Sequence, residues 1–280
     1  MQPYINFSDC ALSGLQYAGS EKKLGVIYDG QCYMLKFRKV LSERKMYNHI
    51  SEYIASHLIE IAGLEVHKTL LGVYRGEEVV AVKDFIAGTE FALVEFASGG
   101  DSSYDTERRE HTTYSYDEIL YLAEKHIKIG NPNTILDRFW DMFVMDALLA
   151  NFDRHGYNWG FIKNGIYQLA PIYDNGSSLF PRLQDDELET IMGSREELNK
   201  RTFTFPTSQI RLGNKKSSYY DIISSHRFTG CDKAAERIIK KIELKDMFEF
   251  IDSVPEISSL RKQFYKTIIQ YRYVHIFEFQ

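Results

Sequence analysis

Residues 151–158, Asn-Phe-Asp-Arg-His-Gly-Tyr-Asn, and the aspartate at position 174 hold the side chains best suited to chemistry in this chain. Asp153 and Asp174 are carboxylates and Asn158 is a carboxamide, so all three offer hard oxygen donors. Phosphoryl transfer needs such a set: a carboxylate to orient the attacking hydroxyl, and oxygen ligands to hold Mg²⁺ against nucleotide phosphates. His155, two residues after Asp153, has two readings. Protonated, it can meet a transferring phosphate; neutral, it can satisfy backbone groups of a tight loop.

The elements that must position these residues are legible on either side. Asn133 and Thr134 offer an N-cap, after which Leu136, Trp140, Phe143, Val144, Ala147 and Leu148 recur at helical spacing, so the polar loop leaves the end of a buried helix over 133–150. Beyond the loop, two apolar runs at 159–163 and 166–170 flank Asn164-Gly165. That dipeptide predicts a two-residue hairpin. A hairpin returns its chain ends to one place, which predicts Asp153 and Asn158 near Ile172-Tyr173-Asp174-Asn175-Gly176. The outline is that of a divalent-metal and phosphate site.

Upstream, Asp29-Gly30 between runs at 24–28 and 31–37 predicts a hairpin, and Arg75-Gly76 predicts another between 64–74 and 78–86. The segment 13–25 ahead of the first hairpin reads as a loop. Its small residues Ser13, Gly14, Gly19 and Ser20 would let backbone N–H groups approach a phosphate closely. Lys36 lies in an apolar strand, where a lysine is costly to bury unless an anion meets it. The following helix, 48–60, carries Ile50, Tyr53, Ile54, His57, Leu58 and Ile61 on one face, with Glu52 near its first turn.

The five-residue interval from Asp153 to Asn158 is that of a protein-kinase catalytic loop. The run Asn-x-Asp-Arg-His-x-x-Asn, then a short hairpin and Pro171-Ile-Tyr-Asp174, resembles the HipA-like serine/threonine kinases, and among them the compact CtkA-type members. The resemblance implies Asp153 as catalytic base, with His155 beside it, and Asn158 and Asp174 as Mg²⁺ ligands. It implies that Lys36 meets the α/β-phosphates of ATP and a glutamate, Glu52 or alternatively Glu60. The hinge backbone of Lys83 and Phe85 would pair with adenine. The loop is similar to a mobile, autophosphorylated Ser-Gly-x-x-x-Lys region, with Ser13 the positional match and Ser20 its neighbour. Two departures stand out: Asn151-Phe152-Asp153 replaces His-Arg-Asp, and Asn175 replaces the Phe of Asp-Phe-Gly. An activation mechanism built on that Arg or Phe does not transfer.

The formal net charge of −5 argues against sequence-independent nucleic-acid binding, which needs a basic face to release counterions. The basic stretches 195–201 and 211–216 read as solvated loops. Three widely spaced cysteines, Cys10, Cys32 and Cys231, fit a reducing compartment and no metal-ligand pattern. There is no apolar run long enough to span a membrane and no Sec-type leader pattern. The expected setting is the cytoplasm of the producing cell, with signal-less export left open. Residues 97–116 read as a flexible insert, and 116–128, 217–228, 231–252 and 255–275 as helices.

Strands early and helices late predict an α+β, two-lobed architecture, with an N-lobe over 1–88 and a helical C-lobe over 89–280, and the resemblance implies that this fold is kinase-like. The activity that the resemblance implies is ATP- and Mg²⁺-dependent serine/threonine protein phosphorylation by a toxin or effector kinase. The expected partners are ATP, a protein substrate and an antitoxin-type protein. A small-molecule phosphotransferase and a nucleotide-binding scaffold are the alternatives; retention of Asp153 speaks against the second, since binding alone needs no base.

Overall fold

The computed structural model describes residues 3–17, 22–98, 116–125 and 132–278. Strands β1 (Tyr4–Asn6), β2 (Ala11–Leu12), β3 (Lys23–Tyr28) and β4 (Gln31–Phe37) come first, then a small hairpin of β5 (Val40–Leu41) and β6 (Arg44–Lys45). Helix α1 (Asn48–Ile61) separates these from β7 (Thr69–Tyr74) and β8 (Glu77–Lys83). Six of the strands form one sheet in the order β1-β7-β8-β4-β3-β2, with β1 parallel to β7. Both tight turns behave as their residues require: Asp29 and Gly30, and Arg75 and Gly76, all have positive φ, the mirror-image turn that matches strand twist.

Alternation along β4 divides its side chains between two faces. Tyr33, Leu35 and Phe37 join Phe7, Val26, Tyr74, Val79 and Ala81 in one apolar cluster. Lys36 therefore points to the other face, and α1 packs on that sheet through β7 and β8. The helix is buried almost all round, including the polar residues Asn48, Ser51, Glu52 and Ser56, so it is a core element rather than a surface one.

The next elements are β9 (Ala92–Glu95), α2 (Tyr116–Lys125), α3 (Pro132–Leu149), β10 (Gly160–Asn164) and β11 (Ile166–Leu169). The 159–170 hairpin forms, and β9, a strand absent from the sequence reading, completes a sheet ordered β11-β10-β9. A side chain at Gly160 would meet Val94 O at 2.3 Å, so only glycine allows β9 this close. The turn at its tip departs from expectation. Asn164 pairs with Ile166, and Gly165 alone sits at φ +71, so the connection centres on one residue rather than two. Residues 99–115 of the expected insert, 126–128 of the expected helix, and Gly19 and Ser20 lie outside the described residues.

Helices α4 (Asp185–Gly193) and α5 (Arg195–Asn199), strands β12 (Thr207–Arg211) and β13 (Lys216–Ser218), and helices α6 (Tyr219–Ser224), α7 (Thr229–Ile239), α8 (Leu244–Ser253) and α9 (Ser259–Arg272) complete the chain. Three expectations change here. The stretch 195–201 is helical rather than a loop: the Ser194 hydroxyl accepts the Glu197 N–H at 3.2 Å, and a π-helical turn, Lys200–Thr204, follows α5. In place of a helix from 217, a capping box between Ser218 and Asp221 starts α6 at Tyr219. The run 231–252 is two helices, because its buried residues step by four from Ile238 to Ile242 but by five to Met247, which no single helical stripe sustains.

Two compact units divide the chain. The first comprises Met1–Ala87, Ile172–Glu197 and Ile242–Gln270, and the second Gly88–Pro171, Leu198–Lys241 and Tyr271–Gln280. Among the described residues no helix is long and apolar enough to cross a membrane.

Candidate active site

In the first unit, Lys36 is 7% exposed and its Nζ donates to Glu52 Oε2 at 2.9 Å and to Asp174 Oδ1. Of the two candidate glutamates, Glu52 meets the lysine; Glu60 pairs with Lys68 at the surface. Burial opposes the Lys36 charge, yet Glu52 and Asp174 outweigh it and raise the ammonium above the ordinary lysine value. For Glu52, burial is likewise overcome, by Lys36, His67 and the Asn175 N–H, which hold the carboxyl well below its usual range. Asp174 is lowered too: Lys36 outweighs its burial and the nearby Glu52 charge. All three groups therefore keep their charges through neutral pH. The Asp174 side chain is 42% exposed and its backbone is left-handed, φ +60, a conformation uncommon for a non-glycine residue. The chain is brought to it by a bridge between Val66 and Ile172, with the His67 N–H donating to Ile172 O at 3.0 Å.

Two of the phosphate-loop candidates, Ser13 and Gly14, are among the described residues of this unit. Ser13 donates its N–H to Gly25 O at 2.9 Å, and its Oγ accepts the Leu15 N–H at 3.3 Å. Gly14 has φ +72 with open space around its Cα. The Tyr17 hydroxyl donates to Asp84 Oδ2 at 3.0 Å. At the end of β8 the Lys83 N–H donates to Lys68 O at 2.8 Å. The Phe85 ring lies against Tyr173.

In the second unit, α3 ends at Leu149 and Ala150 turns left-handed at φ +53, which releases the loop. Asp146, 2% exposed on the last turn of α3, anchors that loop. Its carboxylate accepts from Arg154 Nε at 2.9 Å, from Arg154 NH2 at 3.1 Å and from Asn151 Nδ2 at 2.8 Å. Arg154 also donates to Asn158 O at 2.8 Å, and Asn151 Oδ1 accepts the Asp153 N–H at 3.1 Å. Asn158 Nδ2 donates to Asp153 O at 2.7 Å, which leaves the carboxamide oxygen as the end able to bind a cation. The Asp153 carboxylate is 49% exposed. His155 Nδ1 accepts the Tyr157 N–H at 3.2 Å, which assigns the ring proton to Nε2, 3.8 Å from Asp153 Oδ1. The Nδ1 atom thus serves the loop's own backbone. Arg272, fully buried, donates through Nε to Ala147 O at 2.6 Å, a cation at the C-terminus of the helix that launches the loop.

The structure thus brings Lys36, Glu52 and Asp174 together in one unit, and Asp153, His155 and Asn158 together in the other. Sequence reasoning missed Asp146, His67, Ser56 and Arg272. Asp146 carried a usable signal, since a carboxylate inside Phe-Val-Met-Asp-Ala-Leu-Leu must find a partner once buried. Asp146→Asn keeps the shape but weakens the charge-assisted bonds to Arg154, and is expected to cost about 1.5–3 kcal/mol in chemical denaturation. An unchanged midpoint would show that the anchor is dispensable.

Comparison with known proteins accords with this geometry. Residues 15–256 match the HipA-like C-terminal domain family. Serine/threonine-protein kinase CtkA of Helicobacter pylori strain J99 is 35% identical, across 96% of this chain and 85% of that protein. The crystal structure of a Helicobacter pylori proinflammatory kinase CtkA aligns with a TM-score of 0.90 and 33% identity, covering 99% of this chain and 96% of that one. HipA of Shewanella oneidensis, solved with HipB and its operator DNA, aligns with a TM-score of 0.62 at 16% identity over 95% of this chain and 66% of that one, a likeness of fold. The α+β kinase-like fold expected from the residues is the one found. With most of its length matched by the family and a relative above 30% identity along nearly all of it, the chain belongs to the HipA-like C-terminal domain family.

Proposed function

We propose that the chain is an ATP- and Mg²⁺-dependent serine/threonine protein kinase that modifies a protein substrate and a serine of its own 13–20 loop. One observation carries the reading: a buried lysine held between a helix glutamate and Asp174, the arrangement that a lysine destined for nucleotide phosphates requires. The kinase class is supported by the 35% identical CtkA and by its solved counterpart.

Asp153 accepts the proton of the attacking hydroxyl, and its exposure suits that task. Lys36 binds the α/β-phosphates. Asn158 and Asp174, the metal ligands that the resemblance implies, each offer a hard oxygen of the kind Mg²⁺ takes, and Mg²⁺ in such enzymes takes one or two protein ligands besides phosphate and water. When bound, the ion neutralises charge on the phosphates. Among the described residues no group of three or more His, Cys, Asp or Glu could hold a metal ion. Backbone groups of Lys83 and Phe85 contact adenine, while Ser13 and Gly14 line the phosphates.

An antitoxin-type protein partner and a toxin or effector role in the cytoplasm are part of the proposal; the HipA relative's assembly with HipB motivates the first. The net charge of −5 speaks against this chain contacting DNA directly. The test is mass spectrometry of purified protein incubated with Mg-ATP, with and without cell lysate. Phosphate is expected on Ser13 or Ser20 and on lysate proteins. Its absence from both, in protein that binds Mg-ATP, would overturn the reading.

A further inference from the structure

Asn175 follows Asp174 directly, at the place where the kinase Asp-Phe-Gly motif has an aromatic ring. Its side chain is fully buried, and it forms two hydrogen bonds to α1. The backbone N–H donates to Glu52 Oε1 at 2.8 Å, and Nδ2 donates to Ser56 Oγ at 3.0 Å. Ser56 lies one helical turn beyond Glu52 on the same face. His67, ahead of β7 and 3% exposed, places Nε2 at 3.0 Å from both Ser56 Oγ and Glu52 Oε1. A carboxylate oxygen only accepts, so Nε2 carries the ring proton.

The Glu52 carboxylate is thereby held from two sides. Oε2 receives Lys36, and Oε1 receives His67 and Asn175. A glutamate side chain has three rotatable bonds, and a single lysine contact would leave most of that freedom in place. The extra donors remove it. They also tie the residue after Asp174 to α1, which packing of an apolar ring would do without direction. We infer that Ser56, His67 and Asn175 form a polar latch that fixes Glu52, and through it Lys36 and the Asp174 segment, with His67 as a positioning residue for phosphoryl transfer. The inference rests on the kinase reading above.

The test compares wild type with His67→Phe, which keeps a ring and loses the donor, His67→Gln, which keeps a donor, and Asn175→Leu. Steady-state kcat and KM for ATP are measured on each. So is the acetylation rate of the Lys36 amine without nucleotide, read by peptide mass spectrometry. His67→Phe and Asn175→Leu are expected to lower kcat about 10- to 100-fold, the usual result of loosening a group that orients a reacting one. Lys36 should be acetylated faster in both, and His67→Gln should recover most of each change. A merely structural histidine would shift the melting temperature and leave Lys36 reactivity and kcat alone. Folded His67→Phe with wild-type kcat and wild-type Lys36 labelling would overturn the latch; if that variant does not fold, the same values in Asn175→Leu would do so. A wild type that binds Mg-ATP but transfers nothing sinks the kinase reading instead, and the labelling rates then decide the latch alone.

Discussion

Asp153→Ala is expected to slow phosphoryl transfer by about 10²- to 10⁴-fold, the range of a positioned general base, with Mg-ATP affinity nearly unchanged. The geometry separates the two quantities. The loop is held through Asp153's backbone, whose N–H meets Asn151 Oδ1 and whose carbonyl meets Asn158 Nδ2, while the carboxylate is half exposed. Truncation therefore removes the acceptor for the hydroxyl proton and leaves no buried donor unpaired. Stability should stay within about 0.5 kcal/mol of wild type. Calorimetry with Mg-ATP beside single-turnover transfer checks both halves. Wild-type turnover in the variant would take Asp153 out of the mechanism.

Lys36→Met has a different profile, because it is expected to damage binding, turnover and stability together. It strands the Glu52 carboxylate, 2% exposed, with only the His67 and Asn175 donors. Breaking a buried pair by removing one partner costs about 3–5 kcal/mol, since the remaining charge loses its compensation. The Glu52 carboxyl must then move up from its depressed position. A carboxyl lowered in the folded state gives stability that is present above its unfolded value and lost as pH falls through the folded one. With the depression relieved, that share is missing at neutral pH. The variant's deficit against wild type should therefore shrink as pH falls below the ordinary carboxylate range. The double variant Lys36→Met/Glu52→Gln should recover part of the loss, because it removes the stranded charge. Urea denaturation of the four members of this cycle at pH 7 measures it. Full stability and full Mg-ATP affinity in Lys36→Met would mean that the ion pair is peripheral.

Fold and site differ in how far they can be read from residues alone. Turn chemistry is local, so the Asp29-Gly30 and Arg75-Gly76 hairpins were legible, and the register of β3, β4, β7 and β8 follows from them. The hairpin at 164–165 was legible too, but its turn was not, since β9 on its far side and the glycine at 160 constrain the strands as much as the dipeptide does. The break between α7 and α8 was hidden by composition, because apolar and charged residues continue through it; only the change of step at Met247 marks it.

What the sequence determined by itself was the chemistry available: a carboxylate and a carboxamide five apart, a lone strand lysine, and an aspartate after a hairpin, each recognisable from residue type and short spacing. Tertiary structure alone decided which partners those groups would have. Glu52 stood ahead of Glu60 as the expected partner of Lys36, and the packing of α1 made that pair, while the His67 and Asn175 contacts to Glu52 join residues 15 and 123 positions apart. Such contacts leave no periodicity, because the chain between them enters only through the packing that closes it. Asp146 and Lys36 are the instructive pair. Both are charges in apolar runs, so the sequence demands a partner for each, but the identity of that partner is set by burial, which is a property of the folded chain.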